Sequence, residues 1–506
     1  MRLRSTVPLT AFALFLLAPL ASAAVLHVPA DYATIQQAIS AATSGDEVLV
    51  APGTYHEHLL IDSPQSGMKL HSESGAAATI VDAGSLGSAL VIAAGGLGTE
   101  VVGFTFQNGV GAGVGGGIRV LSGSPLISDN VIRQNKAQLD GQSWSSGLGG
   151  GIYLENSPAT LLRNEIRDNQ AGSYGGGIYC DLGSAAMIQD NIISGNVAGE
   201  GGGLVPTAGV VVTGNHFLSN VAKQGGGGIS MGGSQIVVRN NEFRNNSAVS
   251  GSGGAIRMES QTNPLDNNTF VGNLGASGGA IWAAHACTIS NCVFTDNQAT
   301  VGSGGAIACP SYTQVAIDHC VIARNQAAGQ GGGISITSDP PIFTQATIDH
   351  CVIARNQAAG QGGGISITSM PATLTNNTMV LNQAALGGGL YMTQAPVMIS
   401  HNIISHSIAG GGVAVGTAGT MTFWCDDVWG NTGGEYVGIA DQTGVNNCLK
   451  TDPLFCNLAA LDLHLTAASP CTVKPPCLGI GAFDVGCTGP VPVQITTWGR
   501  MKSLYR

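Results

Sequence analysis

Charge is what this sequence has least of. Its 506 residues hold 19 Lys+Arg and 30 Asp+Glu, or 10% charged, against about a quarter in ordinary globular chains. The basic residues form no cluster and the net charge is −11. That excludes nucleic acid and an anionic membrane surface as expected partners. Glycine is abundant, at 76 residues, but it follows no Gly-X-Y period, which excludes collagen. Beyond the first twenty or so residues no stretch is long and apolar enough to cross a bilayer. No series of amphipathic strands at the C-terminus suggests a membrane barrel either. With neither a CxxC pair nor clustered histidines, no metal site is expected. No cofactor is expected, and calcium has no motif to support it. Helix formers are too scarce for a helical solenoid.

What is present begins with a leader. Arg2 and Arg4 precede an apolar run from Leu9 to Leu20, and Ala21-Ser22-Ala23 is a small-residue cleavage site. Residues 1–23 read as a secretory signal peptide, with a mature chain from Ala24 and no membrane span after cleavage. The expected location is outside a bacterial cell, secreted or on its surface, as a monomer. Twelve cysteines suit an oxidising compartment. Six of them, Cys425, Cys448, Cys456, Cys471, Cys477 and Cys487, crowd the last 82 residues. They are expected to form disulfides, with 15 pairings open to them.

The main signal is a repeat. A small-residue triplet followed by an aliphatic recurs twelve times, at Gly115, Gly149, Gly175, Gly201, Gly226, Gly253, Gly278, Gly304, Gly331, Gly362, Gly387 and Gly410. Most intervals are 25–27 residues. An Asn-x-(Phe/Ile)-x-x-Asn motif precedes most triplets, as in Asn164–Asn169 and Asn268–Asn273. Ile317–Ser338 and Ile348–Ser369 are identical over 22 residues, a duplication tolerable only where coils are interchangeable units. After each triplet the residues alternate, apolar at Ile152 and Leu154 and mixed at Tyr153 between them. Period two marks a strand with one buried face.

Short strands and glycine corners at this period imply an all-β, single-stranded parallel β-helix of about twelve or more three-sided coils. Coils would stack about 4.8 Å apart. Stacking places Phe106, Ile132, Ile166 and their equivalents through Ile404 in one interior column. It places Asn108, Asn135, Asn169 and on to Asn382 in a corner ladder, where asparagine tolerates left-handed turns and its amide bonds the coils above and below. Cys292, Cys320 and Cys351 fall where other coils have the first asparagine. Neighbours there are within disulfide range, and three in a column leave at least one thiol free.

Both ends of such a rod need covering. Ala33–Thr43 reads as an amphipathic helix with Thr34 and Gln37 in a capping box. The triplets stop near Trp424, and the cysteine-rich region reads as the opposite cap. The expected organisation is a signal peptide (1–23), an N-terminal cap and first coils (24–98), a repeat domain (99–423), a cysteine-rich C-terminal cap (424–488) and a basic tail (489–506). Trp498-Gly499-Arg500 and Lys502–Arg506 in the tail suggest a sorting or anchoring signal.

The opening Val28–Ile39, followed by Gly45–Tyr55, resembles the start of exported proteins of the right-handed β-helix, pectin-lyase-like superfamily. Phe270–Asn273 with Gly278–Ile281 resembles the repeats of polymorphic outer-membrane proteins, which are adhesins. Asp452–Cys456 with His464-Leu465 and Gly479–Phe483 is similar to the end of many exported β-helix proteins. The resemblance covers nearly all of the mature chain and implies a right-handed helix and export. Lyases on this fold cluster aspartates for calcium around an arginine, and galacturonan hydrolases carry Asn-x-Asp, Asp-Asp and Gly-His-Gly. Here the one Asp-Asp, Asp426-Asp427, lies outside the regular coils and Gly-His-Gly is absent. Gly53–Glu57 matches the Gly-x-Tyr-x-Glu of pectin esterases, without their downstream aspartate motif, and reads as a structural first turn.

One outward stripe remains. Tyr153 and Glu155 should stack on Tyr179 and Asp181 of the next coil. Tyrosines beside carboxylates could bind a sugar or a cation, and Glu155 and Asp181 near 5 Å would suit a retaining glycosidase. Trp282 and Tyr391 are isolated on the same stripe. The leading expectation is a non-enzymatic surface protein for adhesion or carbohydrate contact, with a polysaccharide or cell-surface glycan as partner. The alternative is a polysaccharide lyase or glycoside hydrolase.

Overall fold

A computed structural model of the chain describes residues 23–487, except 63–64, 66, 94–97, 139–146, 260–262, 311–313, 339–344, 418, 473–475 and 478. The expected signal peptide, but for its last residue, and the expected basic tail lie outside the described residues.

The chain is a parallel β-solenoid. Three long sheets run its length, one of 16 strands from Val25–Val28 to Thr420–Trp424 and two of 15. A fourth sheet of ten short strands fills the middle coils, so these coils carry one strand more than the three-sided reading foresees. One coil shows the order: Thr160–Leu162 in sheet 1, Glu165–Arg167 in sheet 2, Gln170–Ala171 in sheet 3 and Ile178–Cys180 in sheet 4. Sheet 3 exists because the residue after each asparagine motif is followed by a small inward one (Ala137, Ala171, Ala198, Ala222, Ala248), at most 4% exposed. Alanine lets the backbone cut the corner in extended conformation.

The expected interior column forms in full. Phe106 pairs with Ile132, then Ile166, Ile193 and Phe217. Phe217, Phe243, Phe270 and Phe294 stack at 4.7–4.9 Å with rings within 8° of parallel. The offset between coils thus becomes an aromatic stack as well as buried area.

The triplets explain themselves at Gly175 and Gly176. Gly175 has φ +67°, and a Cβ there would lie 2.3 Å from the Ile178 carbonyl oxygen. A Cβ on Gly176 would lie 2.5 Å from the Gly202 carbonyl of the next coil. All twelve leading glycines take positive φ, from +58° to +85°. This corner is where coils approach too closely for side chains.

The asparagines form two ladders. In one, Asn246 Oδ1 accepts both the backbone N–H of Asn220 at 3.0 Å and its amide at 3.0 Å. Asn246 Nδ2 donates to the Phe217 carbonyl at 2.8 Å. The pattern repeats from Asn135 to Asn382. A parallel ladder runs from Asn130 through Asn164, Asn191, Asn215 and Asn241 to Asn268. Two corrections follow. Asn108 is not a rung: Gly109 holds that position and donates to Asn135 Oδ1 at 2.8 Å, while Asn108 bonds Asp82. The left-handed residue is the one before each rung, such as Gln134, Asp168 or Asn245, not the rung itself. Cys292, Cys320 and Cys351 replace rungs as buried free thiols, and Asn268 N–H reaches the Cys292 sulfur at 3.4 Å.

The N-terminal helix spans Ile35–Ala41 and buries Ile35, Ala38 and Ile39. Thr34 accepts from the Gln37 N–H at 3.2 Å. The other free amides of the first turn, those of Ile35 and Gln36, go to the Glu57 carboxylate at 2.9 Å each. Glu57 of the esterase-like motif is therefore a helix cap.

The C-terminal region differs from a plain end cap. Residues after Trp424 close the last coil, but the chain then folds back along the outside of sheet 2. Leu461 and Leu463 pack on outward-facing Val293, Val321, Ala323, Val352, Ala354 and Val380. Arg355 donates to the Ala459 carbonyl at 2.7 Å, and the Ala482 N–H to Thr378 Oγ1 at 2.9 Å. Disulfides join Cys425 to Cys477 and Cys456 to Cys487. Cys448 and Cys471 remain buried thiols. Among the described residues no helix is long and apolar enough to cross a membrane.

Candidate functional site

The stripe lies on the outer face of sheet 4, beside the glycine corner. Strand Ile152–Leu154 pairs with Ile178–Cys180 so that Tyr153 faces Tyr179. Their rings lie 5.8 Å apart and 4° from parallel. Each leans over its own bare glycine: a Cβ on Gly175 would come within 3.0 Å of Tyr179 Cβ, and one on Gly149 within 3.0 Å of Tyr153 Cα. This packing leaves Tyr153 only 5% exposed, so it presents an edge while Tyr179 is half-buried. Tyr174 adds a third ring, 6.5 Å from Tyr179 and 37% exposed. Sequence alternation missed Tyr174, because it sits before the triplet, on the corner rather than on the strand.

The carboxylates converge on Tyr153. Its hydroxyl donates to Asp181 Oδ2 at 3.2 Å, and the other Asp181 oxygen accepts the Leu182 N–H at 2.8 Å. Burial, then the charges of Asp181 and Glu155, push the Tyr153 hydroxyl well above the usual tyrosine range. Burial and Asp181 raise Tyr179 to about 12. Both hydroxyls therefore stay protonated and act as donors, not as bases. Asp181 with both oxygens engaged is a holding group more than a nucleophile.

Farther along the same face lies a second cluster that the sequence separates. Arg257 pairs with Glu200, 57 residues earlier in the chain, at 3.2 Å. It also pairs with Glu259, and its guanidinium lies 5.5 Å from the centre of the Trp282 ring. Tyr391 lies apart from both groups, reached through Ala308, Ser335 and Ser366 in register. Asp426 and Asp427 are buried. Asp426 ends an asparagine ladder, and Asp427 takes the Cys471 thiol at 3.2 Å, so neither faces a groove.

A family profile of the right-handed β-helix region matches residues 88–270 and 206–383. No curated protein sequence matches the chain. Among solved structures it resembles the catalytic unit of a GH87 α-1,3-glucanase from Streptomyces thermodiastaticus strain HF3-3, at 15% identity and a TM-score of 0.35. That likeness covers 80% of this chain and 65% of the glucanase unit, just under two thirds of its length. The PL6 family alginate lyase AlyGC is 11% identical with a TM-score of 0.38, over 82% of this chain and 78% of the lyase. A pectin methylesterase from carrot is 9% identical with a TM-score of 0.21, over 85% and 88%.

Proposed function

We propose that this chain, which belongs to the right-handed β-helix family, is an exported surface protein that binds carbohydrate at the Tyr153–Asp181 stripe without cleaving it. The observation that carries the reading is the parallel pair of Tyr153 and Tyr179, 5.8 Å apart, with Asp181 accepting from Tyr153. Aromatic rings take the apolar face of a sugar and carboxylates take its hydroxyls. Tyr179 and Tyr174 supply the reachable rings, Glu155 and Asp181 the acceptors, and the rigid solenoid spares the ordering cost of a mobile site. Disulfides at the C-terminal end agree with an extracytoplasmic location. Adhesion to a glycan-bearing surface is the use that such a rod would serve.

The test is a glycan array probed with the full chain and with Tyr153→Ala and Tyr179→Ala. The parent should bind a defined set of glycans, and Tyr179→Ala should weaken it by about tenfold, the loss of one good aromatic contact. Absence of binding by the parent to any glycan or host surface overturns the reading. The rival, a polysaccharide lyase or hydrolase, predicts turnover of uronate polymers with or without calcium. Turnover lost in Glu155→Gln or Asp181→Asn would replace binding with catalysis.

A further inference from the structure

The duplicated coils bring two Asp-His pairs into register. Asp318-His319 and Asp349-His350 are 31 residues apart, too far for a sequence scan to group them. In the structure Asp318 pairs with Asp349 in sheet 1. The His319 and His350 rings then stack at 4.8 Å, 4° from parallel. Both histidines occupy the left-handed corner position, with φ of 49° and 47°. Their ring directions are thus set by a constrained backbone held from below by the buried Cys320 and Cys351.

We propose that this corner binds a divalent transition-metal ion of the zinc class. A ligand atom from each of Asp318, His319 and His350 lies within 4.8 Å of the others. Imidazole nitrogen with carboxylate oxygen is a donor set that zinc prefers. A tetrahedral zinc with bonds of about 2.0–2.1 Å spaces its donors about 3.3 Å apart. Closing the set needs a shift of roughly 1.5 Å by that geometry, within reach of side chains whose exposure is 39–56%.

The surroundings resemble the outer shell of a metal site. His319 Nδ1 lies 2.7 Å from Asp318 Oδ1, so two of the proposed ligands already meet at the corner, while Asp349 stands behind His350. Asp349 is held in turn by Thr375 at 2.6 Å and Asn376 at 3.3 Å through Oδ1. Its other oxygen lies 2.9 Å from His350 Nδ1. That nitrogen is shielded from solvent yet out of line for a hydrogen bond. Carboxylate–imidazole pairs of this kind orient a ring and raise its basicity toward a metal. Two carboxylates and two neutral imidazoles also balance the charge of a divalent ion.

Titration calorimetry of the full chain with zinc sulfate tests this. One ion per chain is expected, and His319→Gln/His350→Gln should weaken binding by more than about 100-fold, the upper figure for losing even a supporting partner. Equal affinity in the double variant, or no ion bound below millimolar, overturns the proposal. Should that variant misfold, cobalt substitution in the unaltered chain decides. Nitrogen–oxygen ligation gives d–d bands alone, whereas a thiolate-to-cobalt charge-transfer band would move the ion to the buried cysteines and refute this site.

Discussion

Asn402 gives both its backbone N–H and its side-chain amide to Asp426 Oδ1, at 2.8 and 2.9 Å. An aspartate thus stands where every earlier rung from Asn130 to Asn268 is an asparagine. Burial pushes Asp426 up to about 7, against the donors from Asn402 and Trp424. In the same way, burial raises Asp427 to about 6. The folded state therefore binds protons that the unfolded chain releases near pH 4. Stability contributed by Asp426 is complete below that pH and is lost as pH rises through about 7. Between about pH 5 and pH 8 the loss is on the order of 3 kcal/mol, at ~1.4 kcal/mol per unit. Corrected for the intrinsic rise of exchange with pH, protection at residues 424–431 should fall over this range in the parent and much less in Asp426→Asn. An equal loss of protection with pH in the two proteins would refute the assignment.

The complete ladder makes a sharper stability prediction at its centre. Asn246→Ala strips an acceptor from the Asn220 backbone N–H and amide, and a donor from the Phe217 carbonyl. Each orphaned buried group costs about 1–3 kcal/mol, so a loss of about 3 kcal/mol or more is expected in denaturant unfolding. Asn246→Asp should not rescue it, since a carboxylate cannot donate to Phe217 and its charge is buried.

The Cys425–Cys477 bridge spans 52 residues. Loop-closure entropy for that span is about 4 kcal/mol. The double serine variant should release the returning segment from sheet 2, read as faster proteolysis between Leu449 and Cys487 with the coils themselves protected.

If coils are interchangeable, one duplicate is dispensable. Deleting residues 318–348 joins Ile317 to Asp349 and restores the sequence that already follows Ile348. The shortened chain should keep its circular dichroism and melt within a few degrees of the parent, because neighbouring coils restack on each other and Val352 and Ala354 reproduce the seat that Val321 and Ala323 give the returning segment. Loss of folding would contradict the stacking register.

The repeat was legible because stacking repeats one chemical demand per coil: a positive φ at Gly175, an inward Ile166, an amide at Asn169. The fourth strand was not, since Gln170-Ala171 is two residues long and shows no periodicity. The return of the C-terminus had a signal that alternation hid. Glu165-Ile166-Arg167 is polar on its outer face, whereas Val321-Ile322-Ala323 and Val352-Ile353-Ala354 are apolar on both. Such strands are covered on both sides. At the stripe, Tyr153 facing Tyr179 followed from register alone. Tyr174 and Arg257 with Glu200 did not, for each depends on side chains reaching across corners or coils, whereas the His319–His350 stack follows from the register of the duplicated coils.

The most direct test of glycan binding at this stripe is hydrogen exchange of the full chain with and without a glycan selected from the array. Binding should slow exchange at residues 153–155 and 174–181 and leave the opposite faces unchanged. Protection confined to other coils, or cleavage of the glycan during the experiment, would contradict it.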